Sequence, residues 1–208
     1  MSTLGSPRRR RGTRARRRDL ASSILDAAEG LLTRRGLADL TVADLIEAAG
    51  VSRGSFYFYF ESKEAVVAAL LERIVDEIHE ASLPWLERGD TPPERALREA
   101  LTGSLAMWRR HPAVLRSTVE TWQSHPELQE LWGEVLRRFT AAAAVQIERD
   151  REAALAVEGP PPASLAGALV AMNERCYYFA VVDTEPESDG ELVDTLTAIW
   201  LSSIYRTG

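Results

Sequence analysis

The chain has 208 residues, 45% of them hydrophobic, enough apolar material to bury a core without a disulfide or metal staple. Its one cysteine, Cys176, cannot pair within the chain, and His79, His111 and His125 have no ligand partners at metal-site spacing, so no cofactor is expected. The net charge of -6 is unevenly spread: residues 1–63 hold 12 Lys+Arg against 7 Asp+Glu, so a basic head sits on an acidic body and only the head suits a polyanion.

Residues 1–18 combine Ser, Gly and Pro with eight arginines, a composition that points to a flexible basic arm. No apolar core follows them as a secretory signal would require, and no later run reaches the roughly 18 apolar residues of a membrane span. A cytoplasmic protein is expected.

Apolar residues recur at three and four positions almost throughout, without the alternation of strands, so the fold class is all-α with about nine helices. The first helix is expected from Asp19 to Arg35, with Leu20, Ile24, Leu25, Ala28, Leu31 and Leu32 as its stripe and Gly36 as its stop. Thr41 caps a short helix over Val42–Ala49, with Asp44 in the capping-box position, and Gly50 ends it. Ser52 caps a second short helix from Arg53 to about Phe58, and Ser62 caps a long one from Lys63 into the high eighties. Thr91-Pro92-Pro93-Glu94 reads as the start of a helix running to about Arg110, where Pro112 interrupts it. Ser124-His125-Pro126-Glu127 opens another through about Glu152. Two more are expected over Ala163–Val182 and Gly190–Tyr205.

The segment Thr41 to Glu64 carries the function. Two helices of about eight and six residues joined by Gly50-Val51-Ser52 have the dimensions of a helix-turn-helix, whose second member enters the major groove. Leu45, Ile46, Ala49, Val51, Phe56 and Phe60 face inward, leaving Arg53, Gly54, Ser55 and Tyr57 outward. Five consecutive aromatics from Phe56 to Phe60 cannot all point inward from one helix.

This segment resembles the TetR family DNA-binding domain, and its aromatic-Ser-Lys-Glu ending is similar to that family's. The resemblance implies phosphate contacts at Thr41, Ser52, Ser55, Tyr57, Tyr59 and Lys63, and base-edge contacts at Arg53, Gly54 and Tyr57. An arginine can bond a guanine edge bidentately, and a lysine at a helix start adds charge where an anion is welcome. Arg8, Arg9, Arg10 and Arg11 of the arm are expected to neutralise phosphates or reach the minor groove.

All five tryptophans lie beyond the head. Large aromatic walls suit an apolar ligand, although a helical bundle uses the same residues as core. Ser52 to Phe60, Met172-Asn-Glu-Arg175 and the ending Leu192 to Tyr205 also resemble the EthR-like repressor subgroup. That likeness implies a hydrophobic tunnel for a small apolar effector, with Asn173 as polar anchor and Trp108, Trp132, Phe139, Met172, Tyr177 and Trp200 lining it.

Apolar residues on more than one face of the last two helices are expected to form a four-helix homodimer interface. The domains are thus read as an arm over 1–18, a three-helix DNA-binding domain over 19–66 and a ligand-binding and dimerisation domain over 67–208. The function expected is a regulator, in the family's usual mode a repressor, that holds double-stranded operator DNA as a dimer and is released by its effector. No triad, paired carboxylates or phosphate loop argues for an enzyme.

Overall fold

The computed structural model describes the backbone of residues 8–121, 126–183 and 188–205, and side chains within these from Leu20 onward except those of residues 121 and 127. The described residues form nine α-helices and one 3-10 turn, in two compact units, the first ending at Leu70 and the second starting at Leu71.

The first unit holds α1 (Arg8–Leu32), the 3-10 turn Leu37–Asp39, α2 (Val42–Ala49), α3 (Arg53–Tyr59) and the start of α4 (Lys63–Leu86). Ile24, Ala28, Leu32, Leu37, Leu40, Leu45, Phe56, Val66, Val67 and Leu70 are buried in it, and α1 packs on α2 and α3. One expectation is corrected here. The first helix begins at Arg8, eleven residues before Asp19, so residues 8–18 are helical where a flexible arm was read. Arginine is a good helix former, and neither Gly12 nor the like charges break the run. At the other end α1 stops at Leu32, three residues short of Arg35.

The second unit contains the rest of α4 with α5 (Pro93–Arg110), α6 (Pro112–Thr121), α7 (Pro126–Glu152), α8 (Pro162–Val182) and α9 (Asp189–Ile204). Four of these, α5, α6, α7 and α8, start on prolines, where the missing N–H has no partner to lose. α5 is entered from Pro92 with no side-chain cap, so Thr91 does not cap it as expected. α9 is entered through a capping box of Ser188 and Glu191. α8 packs on α5, α6, α7 and α9, and α9 lies along α5. Where α4 meets α5, a Cβ on Gly103 would lie 3.1 Å from the Cβ of Ala81, tighter than an ordinary contact, so a larger residue there requires α4 to give by a few tenths of an ångström.

Much of the apolar content expected at a dimer face belongs to the chain's own core. Leu169, Leu192, Val193, Leu196 and Ile204 are buried, whereas Phe179 and Ile199 remain exposed at 54% and 38%. Pairing of α9 with α5 inside the protomer is the reason.

A buried polar network closes one end of this unit. Arg88 donates to Asp150 at 2.6 Å and to the carbonyls of Gly89 and Thr91, and both charged side chains are only 5% exposed. Gln146 and the Tyr205 hydroxyl also donate to Asp150, and the Trp85 indole N–H donates to the Tyr205 oxygen. Burial opposes the Arg88 charge, but the Asp150 hydrogen bond and charge outweigh it and raise its pKa above the usual arginine value. The Tyr205 phenol is pushed far up, by burial and then by Asp150. Removing one partner strands the other in the interior. Asp150→Ala should therefore lower the unfolding free energy by about 3–5 kcal/mol, read from urea denaturation followed by tryptophan fluorescence.

Candidate nucleic-acid interface and apolar cavity

The turn between α2 and α3 is built by local chemistry. Thr41 and Asp44 form a complete capping box: the Thr41 oxygen accepts from the Asp44 N–H, while the Thr41 hydroxyl and N–H donate to the Asp44 carboxylate at 2.6 and 3.0 Å. These two bonds, then the nearby Arg35, hold the Asp44 carboxyl below its usual pKa. The box is therefore intact above the ordinary carboxylate range and is lost as the pH falls through the lowered value. Gly50 ends α2 at φ 63°, a left-handed conformation that glycine adopts without strain. Ser52 then caps α3 by accepting the Ser55 N–H at 3.1 Å.

On α3, Phe56 is fully buried and Phe60 nearly so, whereas Tyr57 and Phe58 are 45% and 65% exposed. Tyr59 is half-buried. Leu45 joins the buried set, while Ile46, Ala49 and Val51 are only half-buried. Arg53 and Gly54 are exposed at the start of the helix, and the Arg53 guanidinium lies over the Tyr57 ring at 5.4 Å. Ser52 and Ser55 share a hydroxyl hydrogen bond at 2.9 Å, which leaves one of their two hydroxyl protons to donate outward. Arg53, Gly54, Ser55 and Tyr57 therefore come together at one helix. Phe58 was not singled out by the sequence; its exposure follows from lying two positions, about 200° of helix, from Phe56 and Phe60.

Two expected phosphate contacts have other work. The Lys63 ammonium donates to the carbonyls of Leu37, Ala38 and Leu40 at 2.9, 3.3 and 2.7 Å, using its three protons inside the protein. It clamps the 3-10 turn to the first turn of α4. Thr41 gives both its donors to Asp44. The backbone of Arg8, Arg9, Arg10 and Arg11 is helical, and their side chains lie outside the described residues.

The second unit holds a partly open apolar cavity of about 110 Å³. Its wall is drawn from single helical stripes. α4 contributes Ile78, Ser82, Trp85 and Leu86; α5 contributes Leu97, Ala100, Leu101, Ser104 and Trp108; α7 contributes Trp132, Val135, Leu136, Phe139 and Ala143. From α8 come Val170, Asn173, Glu174 and Tyr177, and from α9 Trp200. Spacings of three, four and seven put each set on one face of its helix.

Six of the seven expected lining residues, Trp108, Trp132, Phe139, Asn173, Tyr177 and Trp200, thus share this wall. Met172 does not, because it sits about 100° around α8 from Asn173. Trp85, one of the five tryptophans beyond the head, and Glu174, within the stretch 172–175, join the wall without being among the expected lining residues, and both keep the spacing of their stripes. Trp108 packs edge-on to Trp132 and tilted to Tyr177, and Trp85 packs edge-on to Trp200. The Trp200 indole donates to the Asn173 carbonyl oxygen at 3.0 Å, so the asparagine is tied to a tryptophan rather than to a neighbouring carbonyl. Burial pushes the Tyr177 phenol far up, and its hydroxyl donates to the Leu101 carbonyl. Cavity scaling puts the gain from filling such a volume at about 2–3 kcal/mol, so leaving it open is a cost that ligand binding can recover.

The first unit is a helix-turn-helix and the second a helical domain around a cavity, the division of labour of a DNA-binding regulator. Residues 24–70 match the profile described as bacterial regulatory proteins, tetR family, and residues 97–206 that of the transcriptional regulator EthR C-terminal domain. The HTH-type transcriptional regulator EthR of Mycolicibacterium smegmatis is 37% identical over 207 residues, spanning 99% of this chain and 95% of that protein. EthR of Mycobacterium tuberculosis is 37% identical over 206 residues, with 98% and 95% covered. The chain belongs to the TetR family of transcriptional regulators, with an EthR-like C-terminal domain.

Among solved structures, SmeT, the repressor of the Stenotrophomonas maltophilia multidrug efflux pump SmeDEF, shares the fold at a TM-score of 0.74 and 23% identity, with 91% of this chain and 94% of that one covered. NalD of Pseudomonas aeruginosa shares it at 0.75 and 19%, with 92% and 100% covered. No helix among the described residues is long and apolar enough to cross a membrane.

The clamp at Lys63 is separable from phosphate binding. Lys63→Met removes the ammonium from all three carbonyls, leaving Leu37 only the Leu40 N–H, and should destabilise the protein by roughly 1–3 kcal/mol while leaving the salt dependence of DNA affinity unchanged. A phosphate contact would instead lower that slope by about one.

Proposed function

We propose that this regulator is a cytoplasmic homodimeric repressor that grips operator DNA through α3 and is released when a small hydrophobic molecule occupies the cavity of its second unit. The observation that carries the reading is the run of α4. Its first turn is fixed by Lys63 beneath the helix-turn-helix, and its last turns supply Ile78, Ser82, Trp85 and Leu86 to the cavity wall. A ligand that moves those side chains acts on the same helix whose first turn, at Lys63, belongs to the DNA-binding unit.

Arg53, Gly54, Tyr57 and the free hydroxyl proton of the Ser52–Ser55 pair are the groups suited to DNA, with Tyr59 beside them and Arg8, Arg9, Arg10 and Arg11 as a second, electrostatic grip. Phe179 on α8 and Ile199 on α9 stay exposed and support a dimer through these helices. Trp108, Trp132, Phe139, Asn173, Tyr177 and Trp200 hold the effector. The named relatives are transcriptional regulators, which supports a regulator rather than an enzyme.

The test is a binding titration on the DNA beside the protein's own gene. Arg53→Ala should lose about 1–3 kcal/mol, ten- to hundredfold, on the specific duplex and much less on an unrelated one. Equal weakening on both duplexes would remove Arg53 from base readout.

A further inference from the structure

One side chain on the cavity wall is poorly served by the protein. Ser82 donates to the Ile78 carbonyl and shares a hydrogen bond with Ser104, Asn173 accepts from Trp200, and Tyr177 donates to Leu101. Glu174, on the same stripe of α8, is different. Its side chain is only 13% exposed, and among the described residues its partner is the Arg175 guanidinium at 3.8 Å, beyond hydrogen-bond reach. Adjacent residues on a helix do not face one another. Arg175 is itself half-exposed and lies over the rings of Tyr178 and Phe179 at 5.1 and 5.9 Å.

We propose that the ligand of this cavity carries an ammonium or N–H donor on its apolar body, and that the Glu174 carboxylate receives it. This rests on the reading of the cavity as the effector site and adds the polar half of the ligand to it. A carboxylate in an apolar wall is unfavourable unless a donor or opposite charge meets it. Burial raises the Glu174 pKa and Arg175 offsets this only in part. Apart from Ser82, Ser104 and Asn173, which bond within the protein, the wall is aromatic and aliphatic, suited to a ring or chain that would bring such a donor. At about 110 Å³ the cavity is smaller than the roughly 150 Å³ that holds benzene, so a single substituted ring enters only as side chains of the wall move aside.

The test uses benzylamine and its near-isostere ethylbenzene, titrated calorimetrically into the full-length protein and into Glu174→Gln. Both should bind the natural protein, and the ratio of benzylamine to ethylbenzene affinity should fall at least tenfold in the variant. The variant should also melt no lower than the natural protein without ligand, because it removes a charge from an apolar wall. If ethylbenzene binds and benzylamine does not, or if the ratio is the same in both proteins, the donor assignment is overturned and the cavity stands. If neither probe binds the natural protein, the effector site itself is overturned along with the donor.

Discussion

Three hydrogen bonds from one ammonium order the DNA-binding unit. Lys63, the chain's single lysine among 24 arginines, reaches back to the carbonyls of Leu37, Ala38 and Leu40. Those carbonyls lie in and just after a 3-10 turn, and within it only the Leu37 carbonyl is also met by a backbone donor, the Leu40 N–H at 3.2 Å. A compact group with three donors suits them, whereas the planar guanidinium fork of arginine does not converge on three nearby acceptors in the same way. The entry to α2, and through the Gly50 turn the setting of α3, follows from where that turn is held. The same bonds fix the start of α4.

The later turns of α4 belong to the second unit, where Trp85 is part both of the cavity wall and of the buried polar cluster. Trp85 faces the cavity edge-on to Trp200 and at the same time donates to Tyr205, which donates to Asp150 and so joins the Arg88 pair. Pro84, in the last turn of α4, removes one backbone donor beside Trp85. Trp85 thus links the cavity wall to this buried cluster, while the rest of the wall is drawn from mainly apolar helical stripes. Under the proposed function, a ligand is felt along α4 more readily than at the sealed end.

Local rules made much of this readable from the chain alone. The Thr41–Asp44 capping box, the left-handed Gly50 and the Ser52 cap are each set by a few neighbouring residues, and α2 has the bounds its pattern implies. The cavity was legible where a large aromatic coincided with the right stripe, as at Trp108, Trp132 and Trp200. Met172 failed because a family resemblance names a stretch, while helical phase selects residues within it. Glu174 could have been found by counting from Asn173 and Tyr177. The helical state of residues 8–18 runs against their composition and follows arginine's helix propensity instead. Long-range pairings left no local trace: Lys63 with Leu37, Arg88 with Asp150 sixty-two positions on, and the contact of α9 with α5 that buries much of the apolar surface assigned to a dimer.

The coupling of cavity to DNA is the claim on which the functional account rests, and binding linkage tests it most directly. Operator affinity measured with and without saturating ethylbenzene, beside ethylbenzene affinity measured with and without operator, should give the same factor in both directions, with each ligand weakening the other. Ethylbenzene that binds the protein with equal affinity whether or not DNA is present, and leaves operator affinity unchanged, would contradict the account.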